Sequence, residues 1–405
     1  MKKKQPFSTA RSPHRTILVG LSLQERPLEE THAHLQELEE LCRTRMIIPL
    51  HKVIQRRQKF DRKTNIGKGK VEEIAQMVAA ENIDSVLFDD QLSPSQVKNL
   101  EKKLGVKVWD RTLLILEIFA MHARTVAAKT QVELAQYQYL FPRLTRMWSH
   151  LSRQSGGRGA GMQGTGEKEL ETDRRIVQRK IHLLKQKLEV IARQAMVRRS
   201  KRSSYPKVAL VGYTNAGKST LMQKLAKANV LVENKLFATL TTTVRKVVID
   251  QMPFLLADTV GFIRKLPHTL VACFKSTLAE VCEADLLLHV VDLTHPHHHK
   301  HIEVVTNTLK EIGAHGIPTL LILNKVDALQ EKKIMPTFEA LVKGYQAQYK
   351  IPVVAISAKE EIGMEQLRKL LYTKVAVLYQ HLYPQNSALA NGPVVQWTEQ
   401  EFPKL

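Results

Sequence analysis

Cysteine is scarce in this sequence of 405 residues, which contains only Cys42, Cys273 and Cys282. The number is odd and no two of them have CxxC spacing, so the pattern argues against a disulfide framework and against a zinc site. We therefore expect all three side chains to be reduced thiols, as is usual in a protein that folds in a reducing compartment.

Long apolar segments are also absent from the sequence. No uninterrupted apolar run approaches the roughly 20 residues that a membrane helix needs. The basic start at residues 1–6 leads into no apolar region of the kind that a secretory signal requires. These absences predict a cytoplasmic protein without a membrane span, and they leave association with a membrane surface open.

Acidic residues are too few to balance the basic ones. The sequence has 39 Asp and Glu residues against 61 Lys and Arg residues, and its formal net charge is +22. A polyanion such as nucleic acid would gain from this excess through counterion release, although an evenly solvated surface fits the composition equally well. Residues 170–204 contain eleven basic and three acidic side chains. That concentration favours contact with a phosphate backbone over a merely solvated helix face.

The first part of the chain alternates short apolar runs with helical patterns. Over residues 15–125 the runs include Ile17 to Val19 and Ser85 to Phe88, and strands that alternate with helices predict a small parallel α/β domain. One of its helices has a clear start, because Ser93 can cap it and Pro94 can take the first position. We expect residues 1–14 to be a disordered basic start.

Residues 126–204 carry two helical seams. Apolar residues between Leu134 and Leu151, and again between Val177 and Ala195, recur at alternating spacings of three and four, which is a heptad pattern. A glycine-rich stretch at residues 156–166 separates the seams, so we predict an antiparallel helical hairpin with a flexible tip. Pro142 should kink its first arm, and Trp148 is expected to serve packing rather than base stacking.

A GxxxxGKS motif opens the next α/β pattern, which covers residues 205–378. Its glycines let backbone N–H groups turn inward around nucleotide phosphates, and the following helix presents its positive N-terminal end. The lysine reaches the β- and γ-phosphates, and the serine hydroxyl binds Mg²⁺. The predicted phosphate-binding residues are Gly212, Tyr213, Thr214, Asn215, Ala216, Gly217, Lys218 and Ser219.

An Asn-Lys-Val-Asp motif at the end of another apolar run predicts the base. The Asp327 carboxylate can accept from N1–H and the 2-amino group of guanine, whereas adenine offers neither donor there, and an unpaired buried acceptor costs roughly 1–3 kcal/mol. Ser357-Ala358-Lys359 resembles the loop that contacts guanine O6 in GTPases. The predicted base-binding residues are Asn324, Lys325, Val326, Asp327, Ser357, Ala358 and Lys359.

Two segments resemble the switches of GTPases. Asp258-Thr259-Val260-Gly261 resembles the DxxG element, in which the aspartate binds a water of the Mg²⁺ shell and the glycine amide faces the γ-phosphate. Hydrolysis removes the contact that orders such a loop, so the site predicts a switch. The other segment is Phe237, Ala238, Thr239, Leu240 and Thr241. Resemblance favours Thr239 as the Mg²⁺-binding threonine, and Thr243 is the alternative.

The sequence offers no catalytic residue for hydrolysis. Phe262 stands where Ras-like enzymes carry the glutamine that orients the attacking water, so we expect slow intrinsic hydrolysis that another group, from this chain or a partner, completes. Asn215 matches the asparagine that binds K⁺ in some cation-activated GTPases, and a structural role is equally open. The expected cofactors are therefore Mg²⁺ and, on this one resemblance, K⁺.

These segments and several others resemble the HflX ribosome-associated GTPases of the Obg-HflX superfamily. The further matching motifs are Asn65-Ile-Gly67-Lys-Gly69-Lys70, Arg153-Gln154-Ser-Gly156-Gly157, Gly164-Thr-Gly166-Glu167, Leu170-Glu171-Thr-Asp173-Arg174-Arg175, Ile263-Arg264 and Leu266-Pro267-His268. The resemblance covers about residues 15–375. It implies a GTPase that binds the large ribosomal subunit and its RNA, and that in the GTP form splits stalled ribosomes or acts on subunits. The implied fold class is α/β, with a small parallel α/β domain, a helical hairpin and a P-loop G domain.

Some features depart from the family pattern or allow other readings. Thr241-Thr242 replace an acidic-Pro pair, and residues 379–405 form only a short tail where some members carry another domain. A tRNA-modifying GTPase and a switch for a protein effector remain alternative functions, although no cysteine-based or folate-type motif supports the first. Five histidines between His295 and His301 invite a metal site, but without acidic or cysteine companions they favour a solvated loop. We expect a monomer.

Overall fold

The computed structural model describes residues 14–24, 27–147, 165–200, 205–226, 236–237, 242–265, 275–330 and 338–382. Residues 1–121 and 136–181 form one compact unit, and residues 122–135 and 182–405 form a second. No helix in the described ranges is long and apolar enough to cross a membrane. Cys42 and Cys282 are free thiols, as predicted, and Cys273 lies outside those ranges.

The first unit contains a four-stranded sheet in which all pairings are parallel. Its elements are β1 (His14–Leu23), α1 (Leu28–Thr44), β2 (Ile47–Arg57), α2 (Lys68–Glu81), β3 (Ser85–Phe88), α3 (Pro94–Leu104), β4 (Lys107–Asp110) and α4 (Arg111–His122). The strand order is β2-β1-β3-β4. The run Ile17 to Val19 in β1 is fully buried, as a strand covered on both faces should be. The predicted parallel α/β fold is confirmed.

Helix α3 begins as the sequence predicts. The Ser93 hydroxyl accepts from the backbone N–H of Gln96, and the Gln96 side chain accepts from the N–H of Ser93. Pro94 takes the first helical position, where no intrahelical N–H bond is needed. The helix ends before Gly105, whose φ of +72° suits glycine.

Two long helices follow, α5 (Val126–Met147) and α6 (Thr165–Ser200). Pro142 lies inside α5, and the helix continues past it to Met147. The guanidinium of Arg174 in α6 lies 5.4 Å from the ring centre of Phe141 in α5. The antiparallel hairpin stays a prediction. The predicted tip, with Trp148 and Leu151, lies outside the described residues.

Most described side chains of α6 are exposed or half-buried, and only Leu184 is fully buried. A helix with so narrow an apolar strip leaves its polar residues in solvent. The basic side chains that the structure exposes along α6 are Arg174, Arg175, Arg179, Lys185, Lys187 and Arg193. The predicted concentration of charge is therefore present as an accessible surface, which we call the basic face of α6.

The second unit is built on a six-stranded sheet. Its elements are β5 (Lys207–Gly212), α7 (Lys218–Ala226), β6 (Thr243–Ile249), β7 (Met252–Asp258), α8 (Lys275–Cys282), β8 (Leu286–Asp292), α9 (His298–Glu311), β9 (Thr319–Asn324), α10 (Asp327–Gln330), α11 (Phe338–Tyr349), β10 (Val353–Ala355) and α12 (Met364–Leu382). The strand order is β10-β9-β8-β5-β7-β6, and only β6 is antiparallel to its neighbour. The predicted motifs follow β5, β7, β9 and β10, so they meet at one edge of the sheet.

Helix α12 continues to Leu382 and so includes the first residues of the segment 379–405, which the sequence predicts as an extended tail. The reason is packing, because Leu378 and Tyr379 lie against the core of the sheet and the Tyr379 hydroxyl donates to the carbonyl of Pro253. Residues 383–405 and residues 1–13 of the predicted basic start lie outside the described residues, while His14 already belongs to β1.

Candidate nucleotide-binding site

The phosphate loop runs from the end of β5 to the start of α7. Gly212 has φ +151° and Gly217 has φ +95°. A Cβ on Gly212 would lie 2.2 Å from the carbonyl oxygen of Val290, and one on Gly217 would lie 2.3 Å from Nδ2 of Asn324. Both positions therefore require glycine for conformation and for space. Asn215, exposed between them, has φ +61°, a conformation that asparagine tolerates well.

Lys218 begins α7 with its amine turned back into the loop. Nζ donates to the carbonyl oxygens of Gly212 at 3.0 Å and Tyr213 at 2.9 Å. Burial lowers the pKa of Lys218 to about 8, and the carboxylate of Asp258 partly opposes this shift. A Cβ on Gly261 would lie 3.1 Å from Nζ. The lysine amine and the glycine of the DxxG element thus face the same small space at the end of the sheet.

Ser219 and Asp258 place two oxygen donors beside that space. The Ser219 hydroxyl donates to Oδ2 of Asp258 at 2.6 Å, and Asp258 is buried at the end of β7. A hydroxyl, a carboxylate and phosphate oxygens are the ligands that Mg²⁺ takes in such sites, so these residues fit that ion. Thr243 lies in β6 opposite Asp258. Phe237 is buried, whereas Ala238, Thr239, Leu240 and Thr241 lie outside the described residues.

The segment after Gly261 packs against the phosphate loop. The N–H of Thr214 donates to the carbonyl of Phe262 at 2.8 Å, and the N–H of Phe262 donates to the carbonyl of Gly212 at 3.1 Å. Thr259 anchors the segment from the other side, since its hydroxyl donates to the carbonyl of Leu210 at 2.6 Å. The Phe262 ring is 2% exposed. It is part of the core and carries no group that could orient a water molecule.

Asn324 joins the phosphate loop to the base loops. Its Nδ2 donates to the carbonyl of Ala216 at 2.8 Å, and its Oδ1 accepts from the N–H of Ala358 at 3.0 Å. Val326 is buried and Ser357 is fully buried, with the Ser357 hydroxyl accepting from the N–H of Glu360. The predicted base motifs, 33 residues apart from Asn324 to Ser357 in the sequence, are thus held together around one side chain.

Asp327 has the one feature that points directly to a base. Its Oδ1 is buried and accepts no hydrogen bond from any residue that the structure describes. A buried carboxylate oxygen without a donor is costly, and the N1–H and 2-amino groups of guanine would supply the missing donors. Beside it, the Lys325 amine lies 2.6 Å from Oδ2 of Asp292, and the Lys359 side chain is 81% exposed.

Comparisons with known proteins agree with this geometry. Family models match three successive parts of the chain: "GTP-binding GTPase N-terminal" at residues 32–120, "GTP-binding GTPase Middle Region" at residues 122–202 and "50S ribosome-binding GTPase" at residues 207–325. The GTPase HflX of Flavobacterium psychrophilum is 47% identical over 388 residues, which are 93% of this chain and 94% of that protein. The chain belongs to the HflX family of GTPases.

Other relatives of this HflX chain give the same result. GTPase HflX of Escherichia coli K12 is 48% identical over 300 residues, which are 73% of this chain and 70% of that protein. Among solved structures, the crystal structure of the SsGBP and GDP complex matches with a TM-score of 0.52 at 26% identity, over 90% of this chain and 99% of that one. The resemblance drawn from the motifs is confirmed, and the protein is a GTPase that binds GTP and hydrolyses it.

The structure of this HflX family member also shows contacts that sequence reasoning missed. Tyr213 of the phosphate loop stacks on His301 of α9, with ring centres 3.7 Å apart and planes within 1°. The Tyr213 hydroxyl accepts from the backbone N–H of Arg264 at 2.9 Å. Tyr213 therefore links the phosphate loop, α9 and the segment after Gly261. A tyrosine within the motif was the only available signal, because its partners lie about 50 and 90 residues away in the sequence.

The histidine cluster differs from the predicted solvated loop. His298 already begins α9, His301 is 8% exposed, and His295 lies 4.2 Å from His301 between ring centres. The rings of Tyr213, Tyr345 and Tyr349 pack against His301 and His299, so the cluster is partly covered, while His299 keeps an exposed side chain. No set of three or more His, Cys, Asp or Glu suited to a metal ion occurs in the described ranges.

Proposed function

We propose that this HflX family GTPase associates with the large ribosomal subunit and its RNA, and that it acts on stalled or idle ribosomes through a GTP-dependent switch. The nucleotide site is formed by the predicted phosphate and base loops, with Mg²⁺ held by Ser219 and Thr239. The observation that carries the ribosomal part is the basic face of α6, where exposed arginines and lysines are available to a phosphate backbone.

The geometry supports the following course of binding. The Lys218 amine, which donates hydrogen bonds to two carbonyl oxygens of its own loop, exchanges these acceptors for phosphate oxygens. The N–H groups of the loop donate to the remaining phosphate oxygens. Asp327 accepts the guanine donors. Mg²⁺, when bound, neutralises charge that develops on the phosphates. The Ser219 hydroxyl, whose present acceptor is Asp258, turns towards that ion.

The switch follows from the position of Gly261. Its backbone lies next to Lys218, so a γ-phosphate held by the lysine also meets the Gly261 amide. The next residue, Phe262, is hydrogen-bonded through its backbone to Gly212 and Thr214. A displacement of Gly261 on binding the γ-phosphate therefore changes how the segment after it packs on the phosphate loop. Because Phe262 cannot orient water, we expect full hydrolytic activity only when a partner completes the site.

Co-sedimentation with ribosomal subunits tests the association. We expect the protein to pellet with large subunits in a non-hydrolysable GTP analogue and much less in GDP, at moderate salt. Binding should weaken steeply as salt rises, because phosphate contacts release counterions. Equal pelleting in both nucleotides, or none, would contradict the proposal and favour a switch for a protein effector.

Asn215 is also proposed as a ligand for K⁺. Its exposed side-chain oxygen lies in the phosphate loop, while its positive φ gives asparagine a structural reason to be there. Asn215→Gly separates the two roles, since glycine keeps the backbone conformation and lacks the oxygen. A rate of GTP hydrolysis that is higher in K⁺ than in Na⁺, with the difference lost in Asn215→Gly, supports the ion; an unchanged ratio rejects it.

A further inference from the structure

The second unit contains a cavity that none of the predicted nucleotide residues lines. Its volume is about 300 Å³. It lies between the sheet strands β8 and β9 and helix α9, and it is bordered by the connection at residues 314–317 and by the segment from Tyr349 to Ile351. This size is at the lower end of the range that binds small organic molecules.

The lining of the cavity is mostly apolar and includes one buried imidazole. Leu287, Ile302, Leu309 and Ile351 supply hydrocarbon surface. His289, on the central strand β8, lines the same space and is only 3% exposed. Three exposed polar side chains of α9 also line the space, namely Glu303, Asn307 and Lys310. An apolar body with one polar end would match this distribution.

The imidazole of His289 has hydrogen-bonding capacity that no described residue uses. It forms no hydrogen bond or ion pair with another residue in the described ranges. Burial, with a smaller contribution from the charge of Lys218, lowers the pKa of His289 to about 3. The ring is therefore neutral near pH 7, with one N–H donor and one acceptor. A charged group would lose its hydration in this buried, mostly apolar space without gaining a counter-charge from the ring, whereas an uncharged hydroxyl or amide can pair with the neutral imidazole.

We propose that this cavity is a second ligand site of the protein, for a small uncharged molecule with an aromatic or aliphatic body and one hydroxyl or amide group that hydrogen-bonds to His289.

Helix α9 connects this site to the nucleotide. Ile302 and Thr306 line the cavity, and His301, next to Ile302, stacks on Tyr213 of the phosphate loop. A ligand that fixes α9 therefore acts on the phosphate loop through this stack. Reciprocity requires that nucleotide changes ligand affinity by the same factor. We expect a difference of about fivefold or more between the GDP-bound and GTP-analogue-bound forms.

Two threonines of α9 provide a matched pair of variants. The Thr306 hydroxyl donates to the carbonyl of Ile302 at 2.9 Å, and the Thr308 hydroxyl donates to the carbonyl of Val304 at 2.8 Å. Both residues are half-buried, but only Thr306 lines the cavity. Thr306→Met extends a side chain into the space, and Thr308→Met makes the same chemical change outside it.

The experiment uses the full chain with phenol, benzyl alcohol, benzamide and 4-bromophenol as probes, followed by saturation-transfer NMR and titration. We expect at least one probe to bind the native protein and Thr308→Met alike, and to bind Thr306→Met at least tenfold more weakly. Absence of binding by all four probes, or equal binding to Thr306→Met, overturns the site. Equal affinity in GDP and GTP analogue overturns the connection through α9.

A crystallographic measurement covers the case in which Thr306→Met fails to fold, as judged by its GDP affinity. Native crystals soaked in 4-bromophenol should show an anomalous bromine peak inside the cavity, with the phenol hydroxyl within hydrogen-bond distance of the His289 ring. Bromine found only elsewhere, or water alone in the cavity, rejects the proposal without any variant. This result is independent of ribosome binding, so the two proposals fail separately.

Discussion

Lys218 is the residue of the phosphate loop whose positive charge we expect to contact the nucleotide phosphates. Its amine now lies on two loop carbonyls and would transfer to the nucleotide. Lys218→Ala should abolish measurable hydrolysis and weaken GTP binding by several orders of magnitude, since a charge-assisted contact inside a buried site is lost. Lys224→Ala, on the same helix but paired with Glu361 at the surface, is the control. Hydrolysis near the native rate in Lys218→Ala would contradict the phosphate-loop assignment.

Asp327 is the residue that we expect to select guanine among the nucleotide bases. Asp327→Asn exchanges one carboxylate oxygen for an amide donor, which suits the carbonyl at position 2 of xanthine instead of the amino group of guanine. We expect GTP to bind at least about a hundredfold more weakly, from the loss of roughly 3 kcal/mol, and xanthosine triphosphate to restore binding. Competition between the two nucleotides measures the change. Unaltered preference for GTP would show that another group reads the base.

His289 should make the stability of the protein depend on pH. Because burial lowers its pKa from 6.5 to about 3, the unfolded chain takes up a proton below pH 6.5 that the folded chain excludes. The free energy of unfolding therefore decreases as the pH falls from 6.5 towards 3, by at most about 1.4 kcal/mol per pH unit. Above pH 6.5 this contribution is constant.

The variant His289→Phe tests that dependence. Between pH 8 and pH 5.5 its free energy of unfolding should decrease by about 1.4 kcal/mol less than that of the native protein. Urea unfolding at both pH values measures the difference. His315→Phe, which alters an exposed ring, is the control for the exchange of a histidine for phenylalanine. Parallel curves for the native protein and His289→Phe would show that His289 is protonated in the folded state.

Residue identities in the motifs were predictable, and several roles were not. Glycine at 212 and 217 and lysine at 218 follow from the chemistry of a phosphate loop, which is local in sequence. The bridge that Asn324 forms between Ala216 and Ala358, and the stack of Tyr213 on His301, depend on which strands become neighbours. Only the strand order β9-β8-β5 brings them together.

At the scale of elements, α6 is the helix that we expect to contact the ribosome, because its basic side chains are exposed. Charge reversal on its basic face, by Arg179→Glu with Lys187→Glu, should reduce co-sedimentation with large subunits at least tenfold and reduce its dependence on salt, since two phosphate contacts are lost. GTP hydrolysis without ribosomes should be unchanged. Lys343→Glu with Lys369→Glu, exposed on α11 and α12, gives the same change of charge elsewhere. Equal losses in both double variants would indicate only a general effect of net charge.

Element positions were predictable wherever a local signal was strong. The capping box of Ser93 and the apolar runs of β5, β8 and β9 identify their elements, because each is fixed by nearby residues. The start of α9 was missed, since histidines carry little helical signal and this helix is held by the aromatic side chains around it. The extension of α12 was also missed, because Tyr379 is held by a hydrogen bond to a strand 126 residues earlier in the sequence.

At the scale of the whole molecule, the two compact units have separate sheets. The second unit carries every described residue of the nucleotide site, and the first carries the start of α6 with part of its basic face. Phe262 leaves the hydrolytic step without a water-orienting side chain. We therefore propose that contact with the ribosome completes that step, so that the rate of GTP hydrolysis rises when the protein binds.

The rate of GTP hydrolysis with and without purified large ribosomal subunits tests this claim most directly. We expect a slow rate for the protein alone and an increase of at least tenfold with large subunits, which the double variant Arg179→Glu with Lys187→Glu should largely lose. The same rate with and without large subunits, for the native protein in Mg²⁺ and K⁺, would contradict the account.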